Sequence, residues 1–124
     1  MSLLTELKAP VKSQNDRLVV KSAGKVFFVP YDDIDYIEAA GNYLKLHVGE
    51  MEHLIRETMT NVEGKLDAEK FVRIHRSAIV NISRIKELQS MFHGDFVVVL
   101  KTGIELPLSR GYRERVQQRL GIPI

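Results

Sequence analysis

Apolar residues recur along residues 17–108 in short runs that often alternate with polar positions, and Gly, Pro or Asn closes several of them. Leu18-Val19-Val20-Lys21-Ser22 and Lys25-Val26-Phe27-Phe28-Val29 flank Ala23-Gly24, which predicts a hairpin. Tyr31-Asp32-Asp33-Ile34 has room for a helical turn only. Tyr36-Ile37-Glu38-Ala39 reads as a strand broken by Ala40-Gly41-Asn42. In residues 43–48, Leu44, Leu46 and Val48 point one way and Tyr43, Lys45 and His47 the other. Gly49-Glu50 turns the chain and His53-Leu54-Ile55 returns it. Thr60-Asn61-Val62-Glu63 has capping-box spacing, so a short helix is expected to start there and end near Leu66.

Residues 71–75 and 78–81 are strand-like around Arg76-Ser77, and residues 85–88 form another candidate. Phe96-Val97-Val98-Val99-Leu100 reads as a buried strand whose hairpin partner is 104–108, with Pro107 marking an edge. Ser109 is then a plausible N-cap. Tyr112, Val116 and Leu120 follow on one helical face, and Gly121 and Pro123 are stop signals. About nine short strands and two small helices result. The class is mainly β. Without long crossover helices, a parallel α/β sheet is not expected.

The 124 residues suit one domain, and 44% hydrophobic with 27% charged residues suits a folded one. Residues 1–15 lack periodicity and contain Pro10; they predict a tail or linker, with an expression scar at 1–3 as an open alternative. A domain is expected over 16–122. No run is long enough for a membrane span, and no signal peptide is expected. Cys is absent, which removes disulfides, zinc thiolates and a Cys nucleophile. A cytoplasmic location fits that composition.

Net charge is +2, but it is unevenly spread. Residues 16–70 carry seven Lys/Arg against eleven Asp/Glu, and residues 71–124 carry nine against four. Such asymmetry points to a polyanion-facing side. The competing reading is that the fold interleaves the halves and their fields cancel.

Enzyme signatures are missing: neither phosphate-binding glycine motif occurs. His47 and His53 flank a turn and could face each other across a hairpin, the one candidate metal pair. No metal or other cofactor is expected. His75-Arg76-Ser77 invites a nucleophile reading but lacks an orienting acid. Asp32, Asp33, Asp35 and Glu38 read as solvating a turn. What stands out is polar residues where strands end: Gly41-Asn42-Tyr43, His75-Arg76-Ser77 and Ser109-Arg110. Arg and Asn carry the donors and acceptors that read base edges. Each has a structural alternative. Asn42 could supply left-handed geometry. Arg110 could pair with Glu114 four residues on. His75 could be a hydrogen-bonded structural histidine, and Arg73 could merely flank the core.

Ile34-Asp35-Tyr36-Ile37-Glu38-Ala39 followed by Gly41-Asn42-Tyr43 forms a first block. Phe71-Val72-Arg73-Ile74-His75-Arg76-Ser77-Ala78-Ile79-Val80-Asn81, with Ile85 after it, forms a second. Leu106-Pro107-Leu108-Ser109-Arg110-Gly111-Tyr112 forms a third. In these blocks the chain resembles the LytTR family, the DNA-binding output domains of bacterial response regulators, over roughly residues 17–120. One departure is Ala78, where the family often has an aromatic; it bears on local packing. The resemblance implies antiparallel sheets arranged side by side. It also implies loops that enter two successive major grooves and the minor groove between them. It puts base reading on Asn42 or Tyr43, on Arg76 and on Arg110, with His75, Asn81 and Ser109 supporting or touching phosphate. It further implies an N-terminal phosphorylated receiver as the usual partner domain; none lies in this sequence, so residues 1–15 fit a linker from it.

The expectation is therefore sequence-specific duplex DNA binding in transcription regulation. The chain should be a monomer alone and bind as two copies on promoter repeats or half-sites. A rival class is a β-rich protein-interaction module whose basic loops are incidental. Single-strand or RNA binding is weaker, because Phe27, Phe28, Phe71 and Phe96 sit in apolar runs rather than forming a stacking platform.

Overall fold

A computed structural model describes residues 17–22 and 24–123. The expected linker over 1–15 lies outside the described residues. Three antiparallel sheets follow one another in chain order. The hairpin is β1 (Arg17–Ser22) with β2 (Lys25–Pro30). The central sheet uses β3 (Tyr36–Ala40), β4 (Tyr43–Val48), β5 (Met51–Ile55), β6 (Phe71–His75) and β7 (Ala78–Asn81), in the order β5-β4-β3-β7-β6. The last sheet holds β8 (Ile85–Ser90), β9 (Phe96–Leu100) and β10 (Glu105–Leu108), with β9 in the middle. Two α-helices complete it, α1 (Met59–Lys65) and α2 (Arg110–Leu120). The mainly β expectation holds. There are ten described strands, against about nine expected; each falls on a run named above, with β5 and β8 extending past theirs into polar residues.

Alternation explains why the central sheet holds two cores. Ile37, Leu44, Leu46, Ile55 and Ile79 point to one face and pack with Leu18, Val20 and Val29 of the hairpin and Val62 of α1. Tyr36, Val72, Ala78 and Val80 point to the other and pack with Val98, Leu100, Leu106, Leu108 and Val116. Ile34, Ile37, Leu46, Ile74, Val80 and Val116 are wholly buried. The α2 stripe behaves as expected: Val116 is inside, with Tyr112 and Leu120 packed partly buried beside it. Ala78 is itself a buried member of this second cluster.

Pro107 sits in β10, an edge strand, where its missing N–H costs no ladder bond. β6 is also an edge strand, and α2 runs along it. Arg119 Nη1 donates to the carbonyls of Ala68 (2.6 Å) and Phe71 (3.2 Å). That cover removes an exposed pairing edge.

Several sequence expectations fail on geometry. The α1 N-cap is Thr58, whose Oγ1 accepts from Asn61 N–H at 3.1 Å; Thr60 is already inside the helix. Ser109 occupies the α2 N-cap position, but its hydroxyl makes no capping bond. His47 stands opposite Glu52 and His53 opposite Leu46, so the two rings lie on opposite sheet faces and cannot share a metal. His47 instead stacks on Tyr36, centroids 4.0 Å apart, with Nε2 2.7 Å from Glu38 Oε1. Burial pushes the Tyr36 phenol above its usual range, and the carboxylates of Glu38, Glu52 and Asp35 add to that. Asp35 does not solvate a turn. It is buried, binds Arg84 Nε through Oδ1 at 2.8 Å, and accepts from Gly49 N–H through Oδ2.

Candidate nucleic-acid interface

Three polar loops meet at one end of the central sheet. β3 and β4 are joined at Gly41-Asn42. Gly41 takes φ 65°, the left-handed region that glycine tolerates. Asn42 is thereby relieved of the geometric duty that could have explained it; His93 is the one described non-glycine with positive φ. Asn42 is exposed and Tyr43 is 44% exposed.

The β6–β7 connection carries Arg76-Ser77 beside this turn, because Ala39 N–H donates to Ser77 O at 2.9 Å. His75 is half-buried, and its Nδ1 accepts from Ser77 N–H at 3.1 Å. That bond holds the turn and leaves the Ser77 hydroxyl unactivated by His75, so the pair is not a nucleophile and base. Arg76 is exposed, and its guanidinium has no hydrogen bond or ion pair among the described residues. Under the backbone lies Arg73. Its Nη2 donates to Arg76 O at 2.7 Å, its Nε to His75 O at 3.3 Å, and its Nη1 to Glu63 Oε1 at 3.1 Å.

The third loop is brought in by Ser109 N–H, which donates to Ile74 O at 2.8 Å. Arg110 opens α2 with a largely exposed side chain. Its Nε meets Asp95 Oδ1 at 3.1 Å and its Nη2 donates to His93 O at 2.9 Å. The alternative pairing with Glu114 is not the one formed; Arg110 turns back toward the β8–β9 loop. Arg113 Nη1 ties that loop as well, through Gly94 O at 3.2 Å.

Asn81 departs from the surface role. It is buried, and Nδ2 donates to Ile34 O at 2.9 Å while Oδ1 accepts from Ser83 N–H and Ser83 Oγ. It cannot touch phosphate from there. Its contribution is to pin the start of β3 to the end of β7, a position supported by satisfied buried polar bonds.

Part of the basic excess after residue 71 is paired across the two halves. Arg84 pairs with Asp35, and Arg73 and Arg115 share Glu63. Arg76 lies between the other two loops, exposed and with no partner for its guanidinium among the described residues. Two features escaped sequence reasoning. Exposed Arg56 lines a cleft of about 470 Å³ beside Gly41 and Asn42. Phe92, 87% exposed, tips the β8–β9 loop that Arg110 grips. Arg56 opens a polar run, Arg56-Glu57-Thr58, at the end of β5 that belongs to none of the three loops singled out, and Phe92 is an apolar residue that carries no binding signal of its own. Among the described residues no group of carboxylates and histidines is arranged to hold a metal ion, and no helix is long and apolar enough to cross a membrane.

The family model for the LytTr DNA-binding domain matches residues 24–121. A solved LytTr DNA-binding domain from Bacillus cereus superposes with a TM-score of 0.77 at 25% identity, covering 86% of this chain and 98% of that one. The sensory transduction protein LytT of Enterococcus faecalis is 27% identical over 109 residues, 88% of this chain and 45% of that relative. The transcriptional regulatory protein LytR of Staphylococcus aureus is 26% identical over 105 residues, 85% of this chain and 43% of that relative. The chain thus spans less than half the length of these curated relatives. The family model covers most of the chain and the fold superposes on a solved LytTr domain, so the protein belongs to the LytTr DNA-binding domain family.

Proposed function

We propose that this domain binds duplex DNA sequence-specifically, as the output domain of a two-component transcriptional regulator. The observation that carries the reading is the gathering of Asn42, Arg76 and Arg110 on three neighbouring loops at one sheet end, where Arg76 keeps all its donors free. Asn42 or Tyr43 and Arg110 read base edges in successive major grooves, and Arg76 enters the minor groove between them. Arginine in a minor groove senses width and negative potential as well as base identity. His75 sets the turn that presents Arg76, Ser109 offers an uncommitted hydroxyl to phosphate, and Asn81 acts only by holding the scaffold.

The role is binding rather than catalysis. The cellular setting is the cytoplasm, where promoters are. The partner domain is a receiver in the intact regulator. The domain alone is a monomer, and two copies sit on repeated half-sites.

Selection of bound sites from random duplex DNA tests this directly. The selected duplex should bind with an affinity that falls by orders of magnitude between ~50 and ~200 mM salt. Recovery of no consensus, or a flat salt response, overturns the reading.

A further inference from the structure

Arg73 is charged, lies on an edge strand, and has a side chain only 13% exposed. Its three nitrogens go to three different groups. Two are backbone carbonyls of consecutive residues, His75 and Arg76, at 3.3 and 2.7 Å. The third group is Glu63 of α1 at 3.1 Å. The other oxygen of Glu63 takes Arg115 Nη1 of α2 at 3.0 Å. The ring of Tyr112 lies under both guanidinium groups, 5.6 Å from that of Arg73 and 5.1 Å from that of Arg115. The strand is irregular between Arg73 and His75: Arg73 stands opposite Ile79 and His75 opposite Ala78, and Ile74 between them has no ladder partner. The side chain of Arg73 spans this irregular stretch and reaches the turn beyond it, where Arg76 lies outside the ladder.

We propose that Arg73 is a positioning residue: anchored by Glu63, its guanidinium fixes the carbonyls of His75 and Arg76 and thereby aims the Arg76 side chain at the duplex. This rests on the DNA-contacting role given to Arg76 above. The guanidinium fork suits the task, because a planar group with donors on three nitrogens spans two carbonyls and a carboxylate at once. Lysine, with a single nitrogen, cannot hold that geometry. Arg73 itself is not placed to face phosphate, since its side chain is largely buried and each of its three nitrogens is engaged inside the fold.

The test uses the whole chain and the duplex that the wild type selects from random DNA. Arg73→Gln should lower affinity about tenfold and flatten base preference only at the positions that Arg76→Ala flattens. Arg73→Lys should not restore it. In the Arg76→Ala background, Arg73→Gln should add less than about twofold, because coupled residues are not additive. The salt slope should stay as in the wild type. Glu63→Gln, which keeps shape but loses the anchoring charge, should reproduce the same local flattening more weakly, and it serves if Arg73→Gln fails to fold. A full additive loss in the Arg76→Ala background, or a salt slope reduced by about one contact, overturns the proposal while leaving Arg76 in place. A profile unmoved by Arg76→Ala overturns the Arg76 assignment, and the positioning role falls with it.

Discussion

The guanidinium of Arg110 meets the carboxylate of Asp95 at 3.1 Å, across from another loop, rather than Glu114 one helical turn along. The pair is exposed, so it adds about 0–1 kcal/mol to stability. Its consequence is orientation: Arg110 is held at the front of α2 by Asp95 and the His93 carbonyl, with its side chain largely exposed. Arg110→Ala should cost about 1–3 kcal/mol in specific binding and relax preference at one base position. Asp95→Ala should relax the same position less. Glu114→Ala should leave the profile untouched. Site selection with each variant reads all three, and a Glu114 effect equal to that of Asp95 would refute the orientation argument.

Arg76 should behave differently from Arg110. In a minor groove its preference is for narrow A·T-rich DNA. Arg76→Ala should flatten a central A·T preference and leave the flanking positions intact, measured by sequencing selected pools. A uniform loss over all sequences would make Arg76 a phosphate contact.

Thr58 and Thr60 separate the observed helix start from the one the sequence suggested. Thr58→Ala removes the bond to Asn61 N–H and should cost about 1 kcal/mol. Thr60→Ala lies at an exposed helical position and should change stability by less than about 0.5 kcal/mol. Urea unfolding of both variants distinguishes them.

Glu57 ties stability to pH. The Asn61 side chain and then the Thr58 N–H donate to its carboxylate and hold its pKa below the usual 4.5. Because the folded value is the lower one, the stabilisation is complete above the unfolded value and is lost as pH falls through the folded one. The stability gap between wild type and Glu57→Gln should therefore be constant near neutrality and close on acidification. Thermal unfolding across that range checks it; a gap that widens in acid refutes the sign.

One small domain reads few bases against a vast excess of competing DNA. Two copies should bind one DNA face with half-sites about 10–11 base pairs apart or a multiple of that. An insertion of ~5 base pairs should abolish the paired complex of an artificially dimerised chain, seen by gel mobility. Sedimentation of the DNA-free chain should show a monomer.

Most of the fold was legible because its strands carry the signals that depend only on neighbours in sequence. Leu44, Leu46 and Val48 alternate, and Gly41 and Gly49 close the turns. The helix starts earlier than expected because Thr60 has Glu63 at capping-box spacing, whereas the actual cap, Thr58, has Asn61 there and lacks that signal. The loops of the interface were legible by their residue types and their resemblance. Their grouping was not, since it depends on long-range bonds such as Ala39 to Ser77 and Ser109 to Ile74. Charge misled most. Arg84 and Arg115 looked available by composition, yet Asp35 and Glu63, forty-nine and fifty-two residues away, consume them.

The path of α2 along β6 has a consequence for how the domain is mounted. The helix starts beside Ile74, among the interface loops, and finishes with Arg119 against Phe71 at the other end of the strand. Arg17 pairs with Pro30, just before the turn that leads into the start of β3, at that same far end. Both described ends of the backbone therefore leave from one pole while the three polar loops occupy the other. Mass joined at either end lies away from those loops, and the domain can be carried like a stamp on its handle.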